Sequence, residues 1–210
     1  MIEATGKKFD EGSANKEKWE WYYLYNANYI GDLKDFITHQ ILETGEEKMP
    51  DQILIKNINC DERKKDIVKY TLERLPDWFA IPEAVEKYIS DSSGKPFFCA
   101  FDGDNSVGFL YLKETGRHTV ELAVMGVLRE YHRRGIGRKL FEVAAEKARE
   151  MGYSFMQVKT VQMGRYDVYD ETNRFYLSLG FKELEVFPTL WDVRNPCQIY
   201  IMSIDRQENS

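Results

Sequence analysis

The sequence predicts a mixed α/β fold in which one sheet carries helices on both faces. Three observations lead there. Short runs rich in β-branched and aromatic residues alternate with segments whose apolar residues recur at helical spacing. Glycine, proline or an Asx-rich cluster separates most of these segments. At 210 residues the chain is long enough for one domain with a sizeable core and an added arm.

The arm comes first. Residues 1 to 18 are polar, and the segment Trp19 to Ile30 is dense in aromatics, with Trp19, Tyr22, Tyr23, Tyr29 and Ile30 near helical spacing. Asp32 is placed to cap a second helix with Leu33, Phe36, Ile37 and Ile41 on one face, stopped at Thr44-Gly45. These residues, 1–49, are expected to form a helical arm packed on the domain, or else a cleft lid or a homodimer contact.

The main domain is expected over residues 50–206, with 207–210 as a polar tail. Gln52 to Ile58 reads as a strand. Ile67, Val68, Thr71, Leu72 and Leu75 mark a helix that Pro76 ends. Pro82 suits a first helical position, Val85, Tyr88 and Ile89 form that helix's apolar stripe, and Ser92-Ser93-Gly94 stops it. Pro96 to Phe101 and Val107 to Lys113 are two strands joined by the hairpin turn Asp102-Gly103-Asp104-Asn105. Thr119 to Val127 is a third. Gly137 to Met151 is a helix with Leu140, Ala144, Ala148 and Met151 on one face, and Gly152 follows it. Tyr153 to Val161 is a strand. Val168, Thr172, Phe175, Tyr176 and Leu179 form another helix, stopped by Gly180. Glu183 to Phe187 and Gln198 to Ile204 close the sheet.

Composition narrows the function. A net charge of -6 opposes broad attraction to nucleic acid or to an anionic membrane. The three cysteines, Cys60, Cys99 and Cys197, lack the spacing of a zinc site or a redox pair, so no metal is expected. An odd cysteine count without a secretory leader suits a cytoplasmic location. No apolar run reaches the roughly 18 residues of a membrane helix.

The segment that carries chemistry is the turn His132-Arg133-Arg134-Gly135-Ile136-Gly137-Arg138, between a strand and a helix. A helix start leaves backbone N–H groups unpaired at the positive end of the helix dipole. Gly135 and Gly137 are expected to leave those groups open to a phosphate, and Arg133, Arg134 and Arg138 add charged donors. The dinucleotide pattern GxGxxG and the P-loop pattern GxxxxGK are both absent here.

The chain resembles the GNAT superfamily of N-acetyltransferases over roughly Ile53 to Ser203. His132-Arg133-Arg134-Gly135-Ile136-Gly137 follows that family's Q/R-x-x-G-x-G/A motif, with His132 where Gln or Arg is usual. Val158-Lys159-Thr160, Phe175 to Phe181, Phe187-Pro188-Thr189-Leu190-Trp191 and Asn195-Pro196-Cys197 resemble a subgroup of it. The resemblance implies a GNAT-like, mostly antiparallel sheet flanked by helices on both faces, and acetyl-CoA as co-substrate. Its pyrophosphate would sit on His132, Arg133, Arg134, Gly135, Ile136, Gly137 and Arg138, and its pantetheine along the backbone of Met125 and Val127. The activity implied is acetyl transfer to a small-molecule or peptide amine, and the alternative is a non-catalytic CoA-binding module.

Two residues stand out for catalysis. Tyr176, in Tyr-x-x-x-Gly-Phe, matches the tyrosine that many members use as an acid toward the leaving thiolate. Glu121 lies on the strand where members often keep a base. It is expected to share a strand face with Ala123, Met125 and Val127, and Gly126 is consistent with a bulge. Asn173 is expected on a polar helix face, and His132 to bind rather than catalyse.

Overall fold

The computed structural model describes residues 53–205. The expected arm, 1–49, and the tail, 207–210, lie outside the described residues. Within them the chain forms β1 (Leu54–Asn57), α1 (Asp61–Leu72), α2 (Pro82–Asp91), β2 (Phe97–Asp102), β3 (Asn105–Gly116) and β4 (Thr119–Val127). A short 3-10 turn (Arg129–Tyr131) leads to α3 (Ile136–Glu150), β5 (Phe155–Val161), α4 (Asp167–Leu179), β6 (Lys182–Asp192) and β7 (Asn195–Ser203). The element order is the one read from the sequence. The sheet has seven strands in the order β1-β2-β3-β4-β5-β7-β6. Every pairing is antiparallel except β4 with β5.

Two cores follow from strand alternation. On one face Phe98, Ala100, Leu110, Leu112, Val120, Leu122, Met156, Val158 and Tyr200 pack against α3 and α4. That contact takes Leu140, Phe141, Ala144 and Ala148 from α3, and Tyr176 and Leu179 from α4. On the other face Phe97, Cys99, Phe101, Phe109, Tyr111 and Val124 meet Ile67, Val68 and Leu72 of α1, with Val85, Tyr88 and Ile89 of α2 beside them. This second core stops at β4.

Boundaries differ where local chemistry outweighs periodicity. Helix α1 starts at Asp61, well before its first apolar contact at Ile67. Asp61 and Glu62 favour its N-terminus, and Lys64 folds back on Asp61 at 2.8 Å. Strand β6 runs on past Pro188 to Asp192 because it is the outermost strand, where a missing N–H costs no ladder bond.

Candidate active site

Strands β4 and β5 pair only from Thr119↔Phe155 to Leu122↔Val158. Beyond that point β4 runs on to Val127 and β5 to Val161, each held only on its outer side, by β3 and β7. A wedge-shaped opening results. Val127 lies opposite Gly108, and the N–H of Leu128 donates to Val107 O at 2.9 Å. Val127's own backbone groups therefore point away from β3, into the opening, and Met125 repeats this orientation two residues earlier. These are the two residues on which the family resemblance would place the pantetheine arm.

The bulge in β4 is at Ala123, not at Gly126. Tyr111 pairs with Val124 and Leu112 with Leu122, which leaves Ala123 as the extra residue, while Gly126 pairs in register with Phe109. One inserted residue reverses the alternation. Glu121, Val124 and Gly126 thus face α1 and α2, whereas Met125 and Val127 join Val120 and Leu122 on the α3 face. The expectation that Glu121, Ala123, Met125 and Val127 share one face fails for this reason.

At the end of β4 the turn enters α3. Gly135 is its N-cap with φ 77°, and Arg133 also takes a left-handed φ of 62°. No side chain caps the first turn of α3, and no acidic residue stands in it. Helices α1, α2 and α4 all carry carboxylates there. Arg138 and Lys139 occupy the positive end of the α3 dipole instead, an arrangement that a bound anion stabilises. Arg133, Arg134, Gly135 and Arg138 are exposed, while Ile136 is buried and anchors the helix start.

The two glycines play different parts. A Cβ on Gly135 would meet nothing within 4 Å, so glycine is needed there for its backbone conformation. A Cβ on Gly137 would lie 3.0 Å from both Met125 Cε and Phe175 Cζ. Gly137 therefore lets α3 approach β4 and α4 closely, which corrects the expectation that it keeps space for a phosphate.

The other side chains of the turn have protein partners as well. His132 Nε2 lies 2.7 Å from Val127 O, and its ring packs edge-on against Trp78 at 5.8 Å. Arg134 lies over the Tyr131 ring at 4.9 Å. Arg138 donates to Ser178 O at 3.0 Å, in the last turn of α4.

Tyr176 and Glu121 sit on opposite faces of the sheet, with Glu121 on the paired stretch of β4 just before the β4–β5 opening. Tyr176 is buried between Phe175 and Phe181, with ring centroids at 5.5 and 5.9 Å. That burial pushes its phenol well above the ordinary range. Glu121 is buried in the sheet and accepts a hydrogen bond from Lys159 Nζ at 2.8 Å. Asn173 does not lie on a polar helix face, because it is fully buried. Its amide donates to Val161 O at 3.0 Å and Tyr169 O at 2.6 Å, and its carbonyl accepts from the Tyr200 hydroxyl at 2.6 Å.

Residues 93–183 match the family described as acetyltransferase (GNAT) domain. Over these residues the chain is similar to a GNAT domain. No curated protein sequence matches the chain. Solved structures match its fold. A GNAT-family acetyltransferase from Desulfovibrio desulfuricans is similar at a TM-score of 0.63 and 18% identity, covering 73% of this chain and 99% of that one. A ribosomal-protein alanine N-acetyltransferase from Escherichia coli gives 0.59 and 18%, with 76% and 99% covered. A GNAT acetyltransferase from Elizabethkingia anophelis with acetyl-CoA bound gives 0.57 and 16%, with 73% and 99% covered.

Two features of this site were missed in the sequence. Trp78, in the α1–α2 connection, donates from Nε1 to Thr172 Oγ1 at 3.1 Å and accepts from the Tyr169 hydroxyl at its carbonyl at 2.8 Å. With His132, Arg129, Asp167, Val168 and Glu171 it lines a groove of about 300 Å³ beside the turn into α3. Lys159 is the second, and only the sheet register could have placed it against Glu121. Among the described residues there is no cluster of three or more His, Cys, Asp or Glu able to hold a metal, and no helix is long and apolar enough to cross a membrane.

Proposed function

We propose that the chain transfers an acetyl group from acetyl-CoA directly to a primary amine. The observation that carries this reading is the β4–β5 opening, which ends beside the uncapped, basic first turn of α3. The N–H groups of that turn, with Arg133 and Arg134, hold the pyrophosphate, and Arg138 adds charge from its position against Ser178. The pantetheine arm pairs with the Met125 backbone and the Val127 N–H, since His132 occupies the Val127 carbonyl. His132 thus acts on the cofactor by orienting this strand end. The domain is assigned to residues 50–206, with 1–49 as an arm. Free thiols at Cys60, Cys99 and Cys197 are in keeping with work in a reducing cytoplasm.

Glu121 takes a proton from the acceptor ammonium. The free amine then forms its bond to the acetyl carbon, and the C–S bond breaks. The leaving thiolate takes a proton from Tyr176, whose burial keeps the phenol protonated. The nitrogen loses its second proton as the amide forms, so one proton in all passes to solvent. No covalent enzyme intermediate is required.

Release of free thiol from acetyl-CoA, measured with purified protein across a broad panel of amines, tests the reading. Amine-dependent thiol release is the expected result. Tight acetyl-CoA binding with no amine-dependent release would show a CoA-binding module instead.

A further inference from the structure

The candidate base is not free to meet an ammonium group. Glu121 is bonded to Lys159, whose side chain is 26% exposed against 11% for Glu121, so both charges are largely out of water. The pair stands at the edge of the second core, where helices α1 and α2 stop covering the sheet. The register puts Lys113 directly across from Glu121 on β3, and Ile199 beside Lys159 on β7. Tyr88 of α2 is close enough for the Glu121 charge to help push its phenol up, after burial. Cys197 feels the charges of both Lys159 and Glu121. Lys159, bonded to Glu121, and the exposed Lys113, opposite it in register, thus put two ammonium groups and one carboxylate on this face.

Other nearby carboxylates do not redress that balance. Asp91 is paired with Lys87 at 3.0 Å, and Glu114 accepts from the Tyr153 hydroxyl at 2.8 Å. Glu185 is exposed on β6, opposite Ile199. That puts it two strands from Lys159, roughly 10 Å at ordinary strand spacing.

An ammonium that enters alone and takes Glu121 leaves Lys159 without its counter-charge in a partly dry site, which is unfavourable. The imbalance grows when Glu121 accepts the acceptor's proton, because the pair then loses its only negative member. An acceptor that brings its own carboxylate removes both problems. Its ammonium pairs with Glu121 while its carboxylate pairs with Lys159, so one ion pair exchanges for two.

Building on the transferase reading, we infer that the acceptor is an amino acid whose carboxylate lies next to the amine that is acetylated, and that Lys159 selects it. The spacing follows from the exchange. Glu121 and Lys159 are in contact at 2.8 Å, and charged hydrogen bonds to the incoming groups run about 2.7–2.9 Å. A compact arrangement of these four groups brings the acceptor's nitrogen and carboxylate oxygen within about 4 Å of each other, as in a free α- or β-amino acid. An aminoglycoside, the side-chain amine of lysine and a peptide N-terminus other than aspartate all lack a carboxylate at that distance. In the transfer the nitrogen–acetyl bond forms, the acetyl–sulfur bond breaks, and the carboxylate is unchanged.

The test uses the full chain, acetyl-CoA and matched triads, each an amino acid, its carboxamide and its decarboxylated amine, over a range of side chains. The expected result is that the best amino acid exceeds its own amide and amine by at least about tenfold in kcat/KM. Lys159→Gln should cut the amino acid's kcat/KM at least about tenfold more than its amide's, mainly through KM, and Lys159→Arg should restore part of the difference. A purely structural lysine would lower all three members alike, and that outcome would overturn the inference. So would wild-type preference for the amide or the decarboxylated amine, which would leave the transferase reading standing. Acetyl-CoA binding without turnover of any triad or other amine would remove both.

Discussion

On one face of the sheet, α3 and α4 close over strands β2 to β7 with a continuous apolar core. On the other, α1 and α2 cover β2 to β4, and the core ends with Glu121 and Lys159 at its margin. The closed face holds Tyr176, Gly137 and Asn173, whose neighbours are fixed by packing. The open face holds charges whose partners can be exchanged. The donor side of the proposed reaction is therefore rigid and largely local in sequence, while the acceptor side depends on register and on what enters. If this division is right, changes on the closed face should move stability, and changes at the margin of the open face should move turnover.

Asn173→Asp should give the largest effect. The Asn173 amide donates to two carbonyls in a fully buried position. An ionised aspartate there has no donor to offer and faces both oxygens. The expected loss is about 3–5 kcal/mol, read as a fall in the urea midpoint at an unchanged m value. A loss below about 1 kcal/mol would mean that α4 can move off β5 and that the closed face is looser than its packing indicates.

The two candidate catalytic groups test the division directly. Tyr176→Phe removes a hydroxyl from the closed face without opening a cavity. Turnover should fall about 100-fold, with little change in acetyl-CoA affinity. Its pH dependence has a definite sign. Burial disfavours the phenolate, so the acid form persists above the ordinary phenol value of about 10, and no alkaline loss of activity from this group is expected below that pH. An alkaline limb near pH 8 that vanishes in the phenylalanine variant would show a phenol that is not desolvated. Glu121→Gln should also cost about 100-fold in kcat/KM, with a smaller loss of stability than at Asn173, about 1–3 kcal/mol, because Lys159 loses its counter-charge but keeps some access to water.

How much of this was legible in the sequence depended on range. Thr119 to Val127 was read with its final bounds, and Gly180 as a helix stop is confirmed by its φ of 102°. Both signals are local. The turn Arg133 to Gly137 was legible as a basic glycine turn into a helix for the same reason. The face of Glu121 was not, because the Ala123 bulge is a property of two strands in register, and alternation along one strand cannot show it. Asn173 was misread because a single polar residue in an apolar helical stripe looks the same in sequence whether it faces water or two buried carbonyls. Lys159 was quoted only as part of a motif, since its partner lies 38 residues away on a neighbouring strand.

The cofactor turn offers a subtler test. At Gly135 an alanine side chain has room but must adopt a left-handed φ, at a cost of about 1–2 kcal/mol. Asparagine tolerates that conformation better, so Gly135→Asn should recover part of the loss in thermal unfolding. Gly137→Ala meets the opposite problem, with ordinary helical geometry and contacts at 3.0 Å to Met125 and Phe175. Asparagine at 137 should be worse than alanine, since size rather than conformation limits that position. If the two glycines respond alike, the distinction between an open cradle and a packing contact fails.

Arg138→Ala carries the smallest expected effect and the sharpest reading of the turn. The guanidinium is exposed and donates to Ser178 O, so its removal should cost well under about 1 kcal/mol of stability. If its main role is to tie α3 to the last turn of α4, CoA affinity should change by no more than about twofold and show the salt dependence of the wild type. Arg134→Ala should weaken CoA several-fold, with a shallower salt dependence, because a cation near the pyrophosphate has been removed. An equal loss of affinity in both variants would place Arg138 on the phosphates despite its carbonyl partner. The turn would then work as one electrostatic patch, with no division between a binding arginine and a bracing one.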